Sequence, residues 1–312
     1  MGIPVVSLAK SDLEIAAAIR AAATAHGFFY IVDHGVPQSL IDAQYAWAQR
    51  LFALPEASKR KISLFNSKAK RGWEAIGDQT LDAEAEPDRK ESFYCGVPYG
   101  PEHPYVKAEL NGYGANQWPE ELPEMAASCA AYIAATTKIC EGLMRHLARS
   151  LDLPPTQFDH TMAEPMITLR LLRYPPHPAD AGANVFGAGA HTDWGAITVL
   201  AQDDSGGLQV LDADGETWLD ATPIPGSFVV NLGDMIPRWT NGLYRSNLHR
   251  VINKASTHDR YSVPLFYSPN YHAKIEALPG TVIPGETPMH EPCTAGEHLA
   301  EMYRKSYGLK AA

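Results

Sequence analysis

The chain is poor in cysteine: Cys95, Cys129, Cys140 and Cys293 are the only four among 312 residues, and no two form a CxxC pair. That scatter argues against disulfides and a thiolate zinc site, and reads as reduced structural thiols in a cytoplasmic protein. Basic residues are in deficit, 26 Lys and Arg against 36 Asp and Glu, for a net charge of −10. With no run of five basic residues, a general affinity for nucleic acid or an anionic membrane is not expected, and any anion site must be local. No stretch nears the roughly 18 uninterrupted apolar residues of a membrane span. Met1-Gly2-Ile3-Pro4-Val5-Val6 carries no basic segment leading into a long apolar one, so no secretory signal is expected. Val6 stands where a myristoylation motif has Ser or Thr. Repeats and low-complexity tracts are also missing.

What is present is an ordinary globular composition, 45% apolar and 20% charged. Helices are expected over 10–25, capped by Ser11 or Asp12 with Leu13, Ile15, Ala16, Ile19 and Ala22 on one face, and over 38–53, 57–62 and 122–151. Residues 27–32 read as a strand, and 63–118 as loop-rich around a strand at 91–96. From 166 the texture changes to short strands at 166–174, 190–201, 206–211, 217–220, 227–231, 247–252 and 260–267. Turn cues such as Asp203-Asp204-Ser205-Gly206-Gly207 separate them, the pitch of a sandwich or jelly roll. A helix at 294–307 carries Leu299, Met302 and Tyr303 on one side. The expected organisation is mixed α+β: an N-terminal helix and strand region, 1–118, packed on a 119–312 core of long helix, jelly roll and C-terminal helix, as one integrated unit.

Within the β half, His191-Thr192-Asp193 is followed by His249, and then by Arg260-Tyr261-Ser262. Two imidazoles and one carboxylate are the protein ligands of the facial triad that holds non-haem Fe(II). Side chains i and i+2 on a strand share a face, so His191 and Asp193 are expected to grip a metal from one strand while Thr192 turns away. Arg260 and Ser262 have the same spacing, and a guanidinium fork beside a hydroxyl suits a carboxylate. A buried guanidinium is costly unless paired, so an inward Arg260 calls for an anion. Two His and a carboxylate also bind zinc, but a hydrolytic zinc site has no use for the Arg-x-Ser clamp. The remaining ten histidines, among them His34, His146, His177 and His258, read as structural.

Together these segments resemble the isopenicillin N synthase-like branch of the Fe(II)/2-oxoglutarate-dependent oxygenases. The resemblance runs nearly end to end. It rests on Gly27-Phe28-Phe29-Tyr30-Ile31-Val32-Asp33-His34-Gly35-Val36, Arg71-Gly72-Trp73, Lys90-Glu91-Ser92-Phe93 and Leu172-Arg173-Tyr174-Pro175-Pro176. Further matches are Gly189 to Gly195, Pro225-Gly226, Asn231-Leu232-Gly233-Asp234, Asn247 to Val251 and Arg260-Tyr261-Ser262. It implies a double-stranded β-helix (jelly-roll) core and Fe(II) on His191, Asp193 and His249. It further implies that Arg260, Ser262 and Tyr174 hold the distal carboxylate of 2-oxoglutarate, with O2 as oxidant. Leu172 stands where plant members have an asparagine, which leaves Tyr174 more of that role. The implied reaction couples oxidative decarboxylation of 2-oxoglutarate to hydroxylation, desaturation or cyclisation of a small molecule. An oxidase that omits 2-oxoglutarate, an ethylene-forming activity and a non-catalytic jelly-roll binding module are the alternatives. Parity with Tyr174 turns Arg170 inward, either toward an acidic or hydrogen-bonding substrate or into an internal ion pair. Trp194 and Phe266 are candidate pocket walls, with core packing as the other reading. Lys90, Tyr94 and the 76–86 loop belong to the helical half and are not placed by the sequence.

Overall fold

The computed structural model describes residues 2–79, 87–176, 186–252 and 257–307; His177 and most of the loop at 76–86 lie outside them. The N-terminal region runs β1 (Val5–Ser7), α1 (Asp12–Ala25), β2 (Phe28–Val32), α2 (Gln38–Phe52) and α3 (Glu56–Lys61). Next come a 3-10 turn at Leu64–Asn66, β3 (Gly72–Glu74), β4 (Glu91–Cys95) and α4 (Pro104–Lys107). The long helix α5 (Met125–Ser150) leads into β5 (Met166–Tyr174), β6 (Ala188–His191), β7 (Ile197–Gln202), β8 (Leu208–Leu211), β9 (Trp218–Asp220) and β10 (Phe228–Leu232). After these come α6 (Met235–Trp239), β11 (His249–Val251), β12 (Arg260–Ser268), β13 (Lys274–Ile275), β14 (Cys293–Thr294) and α7 (Ala295–Tyr307).

Ser11 is the cap of α1. Its hydroxyl accepts the Glu14 N–H at 3.4 Å while the Glu14 carboxylate accepts the Ser11 N–H at 3.1 Å, a reciprocal capping box. Leu13 departs from expectation: it is 80% exposed, because the buried stripe runs through Ile15, Ala16, Ile19, Ala22 and Ala23, and Leu13 lies two positions off it. The expected strand at 190–201 is two strands, β6 and β7, which lie in different sheets.

An eight-stranded sheet, ordered β1-β2-β10-β7-β12-β5-β4-β3, faces a four-stranded sheet, β6-β11-β8-β9. Strand alternation divides the large sheet into two sides. Phe29, Ile31, Leu169, Leu171, Val199, Val263 and Leu265 join the core built with α1, α2 and α5. Phe28, Tyr30, Leu172, Tyr174 and Val229 pack toward Leu208, Val210 and Val251 of the small sheet. Strands from the first 118 residues pair at both ends of the large sheet, so the N-terminal region is woven into the jelly roll.

Two buried polar hubs tie the loop-rich stretch down. Arg71 donates to the carbonyls of Val97 (2.9 Å) and Gly112 (2.6 Å) and to Asn116 Oδ1 (2.7 Å). Beside it, Gly72 has φ +118° and no room for a side chain, since a Cβ would sit 2.2 Å from the Ile62 carbonyl oxygen. Glu91 accepts from Lys59 Nζ (2.8 Å), Trp73 Nε1 (2.9 Å) and Arg173 Nη1 (2.7 Å), and is 2% exposed. Removing that carboxylate leaves buried Lys59 without its counter-ion and the Trp73 indole N–H without its acceptor, while Arg173 keeps Asp259. Glu91→Ala is therefore expected to lower unfolding free energy by about 3–5 kcal/mol, read from urea denaturation midpoints.

Candidate metal centre and co-substrate pocket

His249 of β11 lies directly opposite His191 of β6 in the small sheet, their ring centroids 4.3 Å apart. Asp193 is not on that strand. It sits in the loop between β6 and β7, so strand alternation is not what aims it. Its aim is set by bonds from the opposite sheet: Oδ2 accepts Thr198 Oγ1 at 2.5 Å and Asn231 Nδ2 at 2.6 Å. Thr198 and Asn231 are paired neighbours on β7 and β10. Oδ1 is left facing His249 Nε2 at 3.8 Å. One ligand atom from each of His191, Asp193 and His249 lies within 4.8 Å of the others.

The loop carrying Asp193 is further clamped through its backbone. The Asp193 carbonyl accepts the Asp234 N–H at 2.8 Å, and the Asp234 carboxylate accepts Thr192 Oγ1 (3.0 Å) and Ser246 Oγ (2.7 Å). Gly233 makes this approach possible, because a Cβ there would lie 2.4 Å from the Gly195 carbonyl oxygen and 2.8 Å from that of Asp193. Asn231, Thr198 and Asp234 were not singled out as site residues by sequence reasoning. A polar Asn in the buried run Phe228-Val229-Val230-Asn231-Leu232 was the available signal, since buried polar groups need partners.

Both imidazoles are oriented through Nδ1, that of His191 to the Gly189 carbonyl at 2.7 Å and that of His249 to the Asn247 carbonyl at 3.2 Å. A carbonyl can only accept, so Nδ1 carries the proton in each ring and Nε2 keeps its lone pair for a metal. Burial, and then the neighbouring His249, drive His191 down to about 3. Asp193 is pushed up by burial, but the two histidines and the Asn231 and Thr198 bonds outweigh it and hold the carboxyl below its ordinary value. His191 and Asp193 are thus deprotonated at neutral pH, as metal ligation requires.

Beyond the triad, Arg260 is 1% exposed and lies opposite Tyr174 on β5, its Cζ 4.8 Å from the tyrosine ring centroid. Arg260 Nε donates to the Gly206 carbonyl at 2.5 Å. Among the described residues neither Nη1 nor Nη2 has a hydrogen-bond partner. Two buried cationic N–H groups of this kind demand an anion. Ser262 shares their face, and its neighbour across the ladder is Leu172. The residues present therefore fit a metal on one side and a carboxylate-bearing co-substrate on the other.

A cavity of about 160 Å³ opens beside the triad, walled by Trp194, Phe266, Tyr94, Thr168, Arg170 and Tyr303. Trp194 and Phe266 thus line the space, and Trp194 meets Tyr303 of α7 edge-on at 5.0 Å. Of the two readings of Arg170, the internal ion pair is present. The residue lines the cavity, and its Nη2 is within reach of Glu74 Oε2 (3.1 Å), Gln79 Oε1 (2.9 Å) and Ser92 Oγ (2.8 Å). Tyr94 donates to the same Glu74 oxygen at 2.7 Å while its ring lies 4.5 Å from Arg170 Cζ.

A jelly roll with a His-x-Asp…His cluster and an unsatisfied buried arginine defines the class of the non-haem iron oxygenases. The comparisons agree: residues 3–121 match the family described as non-haem dioxygenase in morphine synthesis N-terminal, and residues 164–269 match the 2OG-Fe(II) oxygenase superfamily. The 2-oxoglutarate-Fe(II) type oxidoreductase hxnY of Emericella nidulans is 38% identical over 299 residues, 94% of this chain and 85% of that protein. A 2OG-Fe(II) oxygenase family protein of Caulobacter crescentus superposes with TM-score 0.86 at 31% identity, covering 97% and 98% of the two chains. A Neurospora crassa enzyme solved with alpha-KG and thymine gives TM-score 0.83 at 27% identity, covering 97% and 96%. The chain belongs to the 2OG-Fe(II) oxygenase superfamily. It is an Fe(II)- and 2-oxoglutarate-dependent dioxygenase that acts on a small molecule. No helix among the described residues is long and apolar enough to cross a membrane.

Burial also sets an acid limit. His298 of α7, whose Nε2 meets the Trp194 carbonyl at 3.1 Å, is pushed down to about 4, mainly by desolvation, and His191 to about 3, against an ordinary 6.5. As pH falls through 6.5 the unfolded chain takes up protons at these histidines that the folded chain refuses. Stability is therefore full above that value and declines down toward 4 and 3. The urea midpoint of the metal-free protein is expected to be lower at pH 5 than at pH 7.5. His298→Gln, which keeps a donor for Trp194 but cannot titrate, should make the decline shallower.

Proposed function

We propose that His191, Asp193 and His249 hold Fe(II) through the two Nε2 atoms and Asp193 Oδ1, and that Arg260, Ser262 and Tyr174 receive the distal carboxylate of 2-oxoglutarate. The observation that carries this reading is the pair of buried Arg260 nitrogens without a hydrogen-bond partner among the described residues. A guanidinium fork of that kind matches a carboxylate in bidentate fashion. Bound Fe(II), with 2-oxoglutarate and O2, supplies oxidative decarboxylation to succinate and CO2 coupled to oxidation of the prime substrate. The protein's share is binding and orientation. Gly189 and Asn247 fix the imidazole tautomers, Thr198 and Asn231 hold one carboxylate oxygen so that the other faces the metal, and Tyr174 flanks the clamp arginine. Trp194, Phe266 and Tyr303 restrict water at the reacting face.

For the prime substrate we infer a small aromatic molecule bearing a polar or acidic group. Tyr94, Trp194, Phe266 and Tyr303 offer ring surfaces, and Arg170 offers a cation whose charge Glu74 offsets. The thymine bound by the Neurospora crassa relative is a planar polar ring of this general kind. We regard 1–118 and 119–312 as one working unit, since Lys70, Gln79, Tyr94 and Asn111 of the first segment wall the cavity together with residues of the second. Four unpaired cysteines, three of them buried, favour the cytoplasm as the working compartment.

Succinate release with Fe(II), ascorbate and a panel of aromatic acids, amides and N-heterocycles tests the reading, each run with and without 2-oxoglutarate. Loss of two charge-assisted hydrogen bonds in Arg260→Leu is expected to raise the KM for 2-oxoglutarate by about 100-fold. Fe(II) binding measured without co-substrate should stay near the wild-type level. An Arg260→Leu enzyme with an unchanged 2-oxoglutarate KM would remove the basis for the clamp.

A further inference from the structure

The strand that carries His191 is irregular, and the irregularity has a partner in the N-terminal region. Along the β6/β11 ladder His249 pairs with His191 and Val251 with Ala188, so two steps on β11 span three on β6. The extra residue falls within Gly189-Ala190, a bulge that breaks the regular ladder and re-aims the side chain that follows. β6 is also an edge strand of the small sheet, so among the described residues no strand lies on its other side to take the freed groups.

Residues 88–90 fill that edge. The Arg89 N–H donates to the Phe186 carbonyl at 3.1 Å, and Asp88 Oδ1 accepts the Gly189 N–H at 3.0 Å. The other Asp88 oxygen forms an ion pair with Lys90 Nζ. Both side chains are buried, at 1% and 3% exposure. Asp88 is itself anchored through its backbone, its N–H to the Gln79 carbonyl at 3.0 Å and its carbonyl to the Gly77 N–H at 3.2 Å. The Gly189 carbonyl in turn accepts His191 Nδ1–H at 2.7 Å. One peptide residue therefore links a buried carboxylate from before β4 to the ring of His191.

We propose that Asp88 is a positioning residue for His191: held by Lys90, its carboxylate replaces the strand partner lost at the Gly189 bulge and so fixes the carbonyl that orients the imidazole. The inference rests on the reading of His191 as a metal ligand. A buried ion pair is weak evidence for stability by itself, because apolar replacement is often neutral. The function of this one is to deliver an acceptor to a single backbone N–H.

The test compares two charge-free replacements in the full-length, metal-free protein. Asp88→Asn with Lys90→Met keeps an acceptor for the Gly189 N–H, whereas Asp88→Leu with Lys90→Met removes it while keeping the branched shape. Co(II) binding is titrated calorimetrically and through the Co(II) d–d absorption, without co-substrate. The Leu/Met pair is expected to bind Co(II) about 10–100-fold more weakly with an altered spectrum, and the Asn/Met pair to recover affinity to within about threefold of wild type. Wild-type affinity and spectrum in the Leu/Met pair, or an equal loss in the Asn/Met pair, overturns the proposal. His191→Ala separates it from the reading beneath. Binding lost there but kept in the Leu/Met pair overturns only the role of Asp88, and binding kept in His191→Ala overturns both. Should the Leu/Met protein not fold, amide exchange on the wild-type protein decides: a protected Gly189 N–H supports the contact, and exchange at the rate of an exposed amide overturns it.

Discussion

The buried carboxylate of Asp193 is the constraint on which the site depends. It lies in a loop between strands of different sheets, where no ladder fixes its direction, and it must stay ionised without water. The protein meets both demands with the same bonds. Thr198 and Asn231 satisfy one oxygen, the paired histidines favour the charge, and the Asp234 N–H and carboxylate clamp the loop backbone and its Thr192. Each of these groups comes from a different strand or connection, so the jelly roll has to close before the carboxylate has a direction.

The same logic governs the other charges of the interior. Glu91 is matched by Lys59 and Arg173, Glu74 by Arg170, and Asp88 by Lys90. Each anion has a cation within reach, because an uncompensated buried charge costs several kcal/mol. Arg260 is the exception: its Nε is used and its two terminal nitrogens are not. Arg71, which has no carboxylate beside it, is satisfied by three neutral oxygens instead, so the open Arg260 fork is what supports the proposed anion site. The N-terminal region is as much a part of the site as the barrel, since Glu74, Asp88, Lys90 and Tyr94 all come from it.

Legibility in the sequence followed the range of the interaction. The Ser11 cap of α1, one of the two candidates, the strand expected at 91–96 and found at 91–95, and the alternation of 260–266 are local and legible from spacing. Errors arose where tertiary contacts overrule period. Leu13 fits an apolar face by type but not by angle, and it is exposed. The run 190–201 is apolar enough for one strand, yet the chain leaves the small sheet after His191 and enters the large one at Ile197. The i, i+2 spacing of His191 and Asp193 brought the right residues together for a reason the structure does not share.

The sequence by itself determined the chemistry: His191, Asp193 and His249 as a donor set, Arg260 with Ser262 as the pair proposed for an anion, and a β-rich second half to hold them. Residue types and short spacings carry that information because metal and carboxylate preferences belong to the side chains. Only the tertiary structure decided which atoms remain free to bind. That Nε2 faces inward, that one oxygen of Asp193 is spoken for, that Arg170 is balanced by Glu74 and that Asp88 reaches Gly189 all depend on partners 38 to 101 residues away in the chain or on carbonyls turned by a bulge. Distances of that kind are set by the closure of two sheets, and no local pattern encodes them.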